Sequence, residues 1–458
     1  MTINISNLQK SSEEIKEEMF SLMQELFPIC RSITGNGVRK TLERIKKDIP
    51  LSKFEIPTGT QVFDWAIPKE WNIVDAYVSD LSGKKIIDFQ KSNLHVVNYS
   101  IPIKKQISLN ELKKHIFSNP EKPDYIPYVT SYYNETWGFC LEHNELIKMK
   151  DKKYDVIIES KLEDGFLTYG EFFIKGESEN EILISTYICH PSMCNDNLSG
   201  VVVATALAKY LKNLKLKYSI RFLFIPETIG AISWLYLNQN KIKNIKHGLV
   251  LTCLGDSGHF TYKKSRRGNA EIDETVIKIL KESKKKFEVV EFFPWGSDER
   301  QFCSPGFNLP VGSLIRSMYG KFPEYHTSGD NLDFINKNSL KESFEKYFLI
   351  ISELEKNFGI KKIHANEKKE EIRSDKESYF LATNPKCEPQ LGKYNVYKNF
   401  GGQYEESKKE LKFAILWILN YSDGVHSLED IARKSKLDLD LIKRTSSLLE
   451  SKKLILRN

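Results

Sequence analysis

The sequence has no hydrophobic run long enough to cross a membrane. A membrane-spanning helix needs about 20 consecutive apolar residues, and no run of even about 18 occurs in this chain. The N-terminal residues are mostly polar and contain no apolar segment of the signal-peptide type. We therefore expect a cytoplasmic protein that has no membrane partner.

Cysteine is scarce and shows no regular spacing. The seven cysteines are an odd number scattered along a chain of 458 residues. A disulfide framework, by contrast, pairs closely spaced cysteines in a short secreted chain. We interpret the cysteines as reduced thiols, which agrees with a cytoplasmic location.

The chain also lacks a strong excess of charge of one sign. The 68 Lys and Arg residues against 61 Asp and Glu residues give a formal net charge of +7, spread along the sequence. The apolar share of 40% and the charged share of 28% are ordinary for a globular protein. We interpret the charge as mild basicity, so a nucleic-acid partner is not expected.

The region 165–350 alternates predicted strands and helices. An alternation of this kind is typical of an α/β fold with a largely parallel sheet between helices. The strands are predicted at 168–174, 181–188, 219–225, 248–253 and 307–314, and the helices at 199–213, 230–239, 271–285 and 338–357.

The sequence before this region predicts two further parts. Residues 1–53 show helical apolar periodicity and are expected to join 160–360 in one α/β domain. Residues 54–159 consist of short aromatic and β-branched segments between turn signals, which predicts an inserted β-rich domain. Its aromatic stretch 128–139 could line a substrate pocket, although such clusters are more often part of a core.

The C-terminal part, 361–458, is predicted to contain a linker and a winged helix. Residues 361–378 are rich in charge, and three short helices followed by a strand come after them. The base-contacting end of a recognition helix is normally basic or polar. Here the third predicted helix, 438–452, begins with acidic residues, so we favour a structural or protein-contact role over DNA binding.

Ionisable side chains follow three of the predicted strands. His190 and Asp196 come after one strand, Glu227 follows the next, and His326 comes after the last. Ligands of open α/β sheets bind at the carboxyl ends of the strands. Two histidines and one carboxylate can hold a zinc ion with one position open, and a separate glutamate can act as general base. Each residue alone is typical of a solvated loop, but their joint placement predicts a metal site.

Two neighbouring features leave alternatives open. Arg31, Ser32 and Thr34 lie in a turn between two predicted helices, and they could reach the site or only stabilise the turn. Cys189 and Cys194 are an alternative pair of metal ligands beside the site. Their spacing matches no common zinc-binding pattern, which makes this alternative the weaker one.

These stretches resemble the zinc aminopeptidases, which have an α/β fold of the phosphorylase/hydrolase type and two co-catalytic zinc ions. The stretch 196–200 (Asp-Asn-Leu-Ser-Gly) matches the loop of the bridging aspartate in that family. The stretch 296–302 matches a late Gly-Ser-Asp-His-x-x-Phe motif, with Glu299 in place of the histidine, and 325–327 matches the final histidine ligand.

The whole chain is similar to a narrower bacterial group of aminopeptidase-like proteins, some of which are associated with polysaccharide biosynthesis. The stretches 27–37 and 189–192 carry this likeness. It implies a three-layer α/β fold with a mixed sheet, an inserted β-rich domain and a C-terminal winged-helix domain.

The sequence departs from the zinc aminopeptidases at three carboxylate positions. Ser192 replaces the aspartate of their His-x-Asp motif, Thr228 replaces the second of two adjacent glutamates, and Thr252 lies where a later aspartate ligand falls. The remaining ligands suffice for one metal ion, expected to be zinc, with manganese or iron as alternatives. The resemblance implies that His190, Asp196 and His326 are the metal ligands and that Glu227 is the general base. It also implies that Asp298, Glu299 and Tyr325 bind the substrate.

Three functional hypotheses follow from these features of the sequence. The first is a metal-dependent hydrolase that uses one zinc ion and Glu227 to cleave a peptide or amide bond of a small substrate. The second is a catalytically reduced, aminopeptidase-like binding protein linked to polysaccharide biosynthesis. The third is a DNA-binding regulator that uses the winged helix. The inserted domain and the C-terminal domain both offer surfaces for a homo-oligomer.

Overall fold

The computed structural model describes residues 5–150, 152–360, 378–396 and 406–458. The predicted linker at 361–378 therefore lies almost wholly outside the described residues. Within these ranges no helix is both long and apolar enough to cross a membrane. The strands are β1 (Ser52–Pro57), β2 (Gln61–Val62), β3 (Trp65–Ala66), β4 (Glu70–Ser79), β5 (Lys85–Asp88), β6 (Ile103–Ser108), β7 (Ile116–Phe117), β8 (Phe139–Cys140), β9 (Lys153–Glu163), β10 (Phe166–Ile174), β11 (Glu181–Tyr187), β12 (Ser219–Ile225), β13 (Ile245–Val250), β14 (Phe260–Lys263), β15 (Phe287–Val290), β16 (Val311–Ile315), β17 (Tyr379–Ala382), β18 (Asp423–Ser427) and β19 (Ile455–Arg457). The helices are α1 (Ile5–Leu26), α2 (Asn36–Lys46), α3 (Leu109–Leu112), α4 (His143–Leu146), α5 (Ser199–Leu211), α6 (Ile229–Leu237), α7 (Glu271–Glu282), α8 (Glu299–Phe302), α9 (Lys337–Asn357), α10 (Glu406–Tyr421), α11 (Leu428–Ser435) and α12 (Leu439–Ser451).

The largest sheet has eight strands in the order β1-β10-β12-β11-β13-β16-β14-β15. Its four central strands, β12, β11, β13 and β16, are parallel. On one side β10 is antiparallel to β12 and β1 is antiparallel to β10, and on the other side β14 is antiparallel to β16. The predicted α/β fold with a mixed sheet is confirmed. The carboxyl ends of the four parallel strands lie along one edge of this sheet.

Four of the five strands predicted in this region have other bounds in the structure, and the differences are largest for β13 and β16. The strand predicted at 248–253 is β13, which ends earlier because the chain turns at Cys253, where φ is +51°. The strand predicted at 307–314 is β16, which begins later because Asn308 has a φ of +44°. A positive φ in a residue other than glycine marks a turn rather than a strand. As a result, Thr252 lies in a loop beyond the edge of the sheet.

Helices cover both faces of the large sheet because its central strands are apolar on both faces. On β11, Ile182 and Ile184 belong to the core that also contains residues of α1, α2, α5, α7 and α9. Leu183, between them, belongs to a second core that contains residues of α6 and of α10, α11 and α12. Side chains alternate between the faces of a strand with a period of two, so one strand contributes to both cores. The result is the predicted three-layer architecture.

The predicted β-rich segment forms a separate antiparallel sheet with the strand order β5-β4-β9-β6. This sheet has a hydrophobic core of its own, which includes Val78, Ile87 and Val156. Strand β9 runs past the predicted boundary at residue 159 and ends close to the start of β10. The boundaries of the three domains therefore stay a prediction.

The winged helix consists of α10, α11 and α12 and a three-stranded sheet in the order β18-β17-β19. Arg266, in the loop after β14, attaches it to the α/β domain. The guanidinium donates a hydrogen bond of 3.0 Å to the side chain of Asn420, forms an ion pair with Asp423, and lies 4.7 Å from the ring centroid of Tyr421. Together with the second core, these contacts fix the winged helix to the face of the sheet that α6 covers.

A buried ion-pair network crosses three neighbouring strands of the large sheet. Arg221 on β12 donates two hydrogen bonds, both of 2.7 Å, to Glu181 on β11, and one to Glu171 on β10. The side chains of Arg221 and Glu181 are 5% and 4% exposed. A buried carboxylate that loses its only cation is strongly destabilising, because the desolvated charge is no longer compensated.

We expect the substitution Arg221→Met to lower the free energy of unfolding by about 3–5 kcal/mol, because it leaves Glu181 charged and buried. Lys209→Met is the matched control, since Lys209 pairs with Glu18 on the surface, and exposed pairs contribute about 1 kcal/mol or less. Denaturant unfolding followed by circular dichroism measures both changes. Equal losses in the two variants would contradict the role given to the buried pair.

Candidate metal centre

Three of the side chains that follow the strands lie together at the carboxyl edge of the sheet. His190, Asp196 and His326 each offer one ligand atom, and these atoms lie within 4.8 Å of one another. Asp196 Oδ2 is 3.0 Å from Nε2 of His326 and 4.0 Å from Nε2 of His190. Two imidazoles and one carboxylate are a ligand set that zinc uses in catalytic sites.

The carboxylate of Asp196 has two oxygens in different surroundings. Oδ1 accepts a hydrogen bond from the hydroxyl of Tyr187, the last residue of β11. Oδ2 is buried and accepts no hydrogen bond of regular geometry. A buried carboxylate oxygen without a donor is costly, and a cation between Oδ2 and the two imidazoles would compensate it. The residues present therefore fit a single metal ion.

His190 lies three positions after the end of β11, and a residue from a distant part of the chain contacts its backbone. The buried guanidinium of Arg31 donates a hydrogen bond of 2.9 Å to the carbonyl oxygen of His190 and another to the carbonyl oxygen of Leu26. Burial lowers the pKa of His190 to about 4. The imidazole is therefore neutral at pH 7, which is the form that binds metals.

The turn between α1 and α2 thus reaches the site through Arg31. Its neighbours serve a different purpose, because Ser32 donates to the side chain of Asn98 and the hydroxyls of Thr34 and Tyr99 are 2.6 Å apart. Both of these partners belong to the predicted β-rich segment. The turn therefore connects the β-rich segment to the backbone of a candidate metal ligand.

The loop that carries Asp196 is fixed by Asp330, a fully buried residue that the sequence analysis did not single out. The carboxylate of Asp330 accepts hydrogen bonds of 2.6 and 2.8 Å from the backbone N–H groups of Asn195 and Asp196. Its carbonyl oxygen accepts a third, of 2.9 Å, from the N–H of Cys194. Because Asp330 lies four residues after His326 in the same loop, it holds two of the three candidate ligands in one unit.

His326 also contacts the β-rich segment. Its carbonyl oxygen accepts a hydrogen bond of 2.8 Å from the N–H of Tyr128. The ring centroid of Tyr128 is 5.3 Å from the rings of both His190 and His326. The hydroxyl of Tyr132 is 3.0 Å from that of Tyr128. Part of the aromatic stretch 128–139 therefore packs against the site.

Glu227 lies at the edge of the group, just after β12. Its Oε2 is 3.8 Å from Nε2 of His190, and its side chain is 25% exposed. Burial, together with the charges of Asp298 and Asp196, raises the pKa of Glu227 well above its usual value. A carboxylate with a raised pKa is suited to accept and return a proton near neutral pH.

Thr228, the neighbour of Glu227, forms its hydrogen bonds with residues other than the candidate ligands. Its N–H donates a hydrogen bond of 2.7 Å to Asp298, and its hydroxyl accepts one of 3.0 Å from Arg300. Arg300 also pairs with Glu388 at 3.1 Å, and Glu388 lies in the winged helix between β17 and α10. Burial raises the pKa of Asp298 to about 7. The structure thus brings Arg300 and Glu388 to the site, although the sequence analysis did not identify either residue.

The three residues that the resemblance implies for substrate binding lie in different surroundings. Asp298 is the acceptor of the Thr228 N–H, as described above. Glu299 is fully buried and forms an ion pair of 2.6 Å with the equally buried Lys263. The ring of Tyr325 stacks on that of His326, with centroids 4.0 Å apart. Asp298 and Tyr325 therefore lie beside the candidate ligands and their neighbours, while Glu299 is held by Lys263.

The alternative metal ligands Cys189 and Cys194 are not part of the group of three. Both thiols are buried, and burial raises the pKa of each well above its usual value. The sulfur of Cys189 accepts a hydrogen bond of 3.3 Å from the N–H of Glu227. A protonated thiol is a poor metal ligand, so the geometry favours the histidines and Asp196.

Fold and site together define the class of the protein, which is an aminopeptidase-like α/β protein with a C-terminal winged helix. A family model described as a domain of unknown function (DUF4910) matches residues 20–357. A second family model, described as a winged helix-turn-helix, matches residues 378–457. Because the first match covers most of the chain, the chain belongs to the DUF4910 family.

Relatives and solved structures agree with this assignment. A protein of Clostridium acetobutylicum, provisionally named a polysaccharide biosynthesis protein with aminopeptidase-like domain, is 52% identical over 445 residues, which are 97% of each chain. The crystal structure of a protein from Clostridium acetobutylicum, provisionally named a peptidase, has 50% identity and a TM-score of 0.75 and covers 99% of both chains. A zinc aminopeptidase of Bacillus subtilis has 13% identity and a TM-score of 0.55, over 75% of this chain and 95% of its own. The last likeness is one of fold, and it confirms the resemblance to the zinc aminopeptidases at that level.

The contacts of Asp330 lead to a prediction about metal affinity. Asp330→Asn places an amide NH2 group against one of the two backbone N–H groups that now donate to the carboxylate, so the loop of Asp196 loses its fixed position. We expect the affinity for zinc to fall about 10- to 100-fold, as for other residues that orient metal ligands. Competition with a chromophoric chelator measures this affinity.

Asp333→Asn is the matched control, because Asp333 lies three residues further on and is exposed. We expect its zinc affinity to equal that of the unaltered chain. An Asp330→Asn variant that binds zinc with full affinity would show that the loop keeps its position without this carboxylate.

Proposed function

We propose that this protein is a metal-dependent hydrolase that cleaves a peptide or amide bond. The observation that carries the proposal is the buried Oδ2 of Asp196, which faces the imidazoles of His190 and His326, accepts no hydrogen bond of regular geometry and lies near the carboxylate of Glu227. We further propose that the metal is zinc, with one ion per chain. The donor set of two imidazoles and a carboxylate suits zinc, and manganese or iron would use the same atoms.

The residues of the chain would divide the chemistry among them. His190, Asp196 and His326 hold the metal, which when bound supplies a Lewis acid for the scissile carbonyl. Glu227 accepts the proton of the attacking water and returns it to the leaving amine, and its raised pKa favours both transfers. The neutral state of His190 keeps its Nε2 lone pair free for the metal.

The substrate side of the site is proposed from its polar and aromatic groups. Asp298 and Tyr325 lie next to Glu227 and His326, where a carboxylate and a ring could bind the amino end of a peptide or amide. For Glu299 we propose that the carboxylate acts through its pair with Lys263, which fixes the turn that leads to Asp298 and Arg300. The pairing of Glu388 with Arg300 supports a structural role for the C-terminal segment at this side of the site.

A binding function without turnover should also be tested, because the hydroxyls of Thr228 and Thr252 are engaged in hydrogen bonds within the protein. Both threonines stand where the zinc aminopeptidases have carboxylate ligands, and both hydroxyls are bonded to other side chains of this protein. A related protein carries a name that refers to polysaccharide biosynthesis. The alternative is therefore a binding protein of that process, which keeps the metal but does not turn over a peptide.

The metal content of the protein should be measured first. We expect about one zinc ion per chain by elemental analysis of the unaltered protein, and a complete loss of zinc in His326→Ala. His259→Ala is the matched control, because His259 pairs with Glu288 on the surface. Protein that contains no zinc after purification without chelators, and takes up none on addition, would refute the hydrolase and the metal-bound alternative together.

Substrate turnover then separates the two functions. With zinc bound, we expect hydrolysis within a panel of aminoacyl anilides and dipeptides, and we expect Glu227→Gln to lower kcat by about 10²- to 10⁴-fold while its zinc content is unchanged. Glu282→Gln on the exposed face of α7 is the control. If the zinc-loaded protein leaves the entire panel intact, the binding function is favoured, and if Glu227→Gln turns over normally, Glu227 is not the base.

A further inference from the structure

The two carboxylate oxygens of Asp196 have different neighbours. This difference affects how many metal ions the site can bind. Oδ2 faces the imidazoles of His190 and His326, as described above. Oδ1 accepts a hydrogen bond from the hydroxyl of Tyr187. A carboxylate that bridges two metal ions gives one oxygen to each, so the partner of Oδ1 decides whether a second ion can bind.

Tyr187 is held in this position by the sheet. It is the last residue of β11, it is 3% exposed, and its strand pairs in parallel with β13. Its hydroxyl is 2.6 Å from the hydroxyl of Thr252, which follows β13 and is fully buried. The phenol therefore fills the space between Oδ1 of Asp196 and residue 252 and hydrogen-bonds at both ends.

We propose that the Tyr187 hydroxyl occupies the place of a second metal ion and so limits the site to one. This inference rests on the proposed function only in that it takes the group of His190, Asp196 and His326 to bind a metal. The proton of the phenol satisfies Oδ1 in place of a cation. Thr252 offers a neutral hydroxyl at the opposite end, where an aspartate would provide a charged ligand.

The surroundings of Thr228 agree with this inference. The hydroxyl of Thr228 accepts a hydrogen bond from Arg300, whose charge is itself paired with Glu388. This hydrogen bond leaves the threonine oxygen engaged. The two positions at which a second ion would need a carboxylate thus both carry hydroxyls, and each hydroxyl is bonded within the protein.

Two substitutions, when combined, should create a binding position for a second metal ion. Tyr187→Phe removes the hydroxyl and frees Oδ1 of Asp196, and Thr252→Asp puts a carboxylate on the opposite side of the vacated space. In the single variant Thr252→Asp the phenol stays, and it can donate its proton to either carboxylate.

The experiment counts zinc ions by equilibrium dialysis at saturating zinc, with elemental analysis of the retained protein and circular dichroism as a check of folding. We expect one ion per chain in the unaltered protein, one in Thr252→Asp, one in Tyr187→Phe and two in the double variant. Thr252→Asp is the matched control for adventitious zinc, because it has the same added charge as the double variant.

Each outcome bears on one proposal or the other. A folded double variant that retains one ion, or a Thr252→Asp variant that takes up two, would overturn the role of Tyr187 while the hydrolase proposal stands. No zinc in the unaltered protein would instead remove the metal centre itself. If the double variant does not fold, Tyr187→Phe combined with Thr252→Glu carries the same test with a carboxylate at the same position, and two ions are again expected.

Discussion

A buried carboxylate at the end of parallel strands is the constraint on which the candidate site depends. Asp196 is almost fully buried, so each of its oxygens needs a proton or a cation. The hydroxyl of Tyr187 donates a hydrogen bond to one oxygen, and the two imidazoles face the other. Asp330 keeps the loop in place through three hydrogen bonds with backbone N–H groups. The histidines, the loops and the end of β11 are thus all arranged around a single charge.

The sequence sufficed for the fold and for the group of three ligands because both follow from local patterns. Apolar runs and turn residues locate five strands of the large sheet within a few residues, but β14 and β15 of the same sheet were not predicted. The polar side chains that follow the parallel strands lie at one edge of the sheet. The exceptions are local too, since the turns at Cys253 and Asn308 depend on backbone angles that the apolar pattern does not contain.

The rest of the site could not be predicted because it depends on contacts between distant parts of the chain. Arg31 reaches His190 across 159 positions, and Arg300 meets Glu388 across 88. Glu299 could be placed in a motif, but its pair with Lys263 joins α8 to β14 and has no sequence signal. Tyr187 was visible only as an apolar strand residue, although its place three positions before His190 gives its hydroxyl access to the site.

The second hydrophobic core has a consequence for the autonomy of the winged helix. Leu183 of the central sheet, Trp234 of α6, Ile415 of α10 and Ile442 of α12 are buried in one continuous cluster. A chain cut before residue 378 would therefore present a broad apolar surface to water and would be prone to self-association. An isolated C-terminal fragment would lose the other half of the same core. Because the two parts share this core, we expect them to fold together, with the winged helix covering the face of the sheet on which α6 lies.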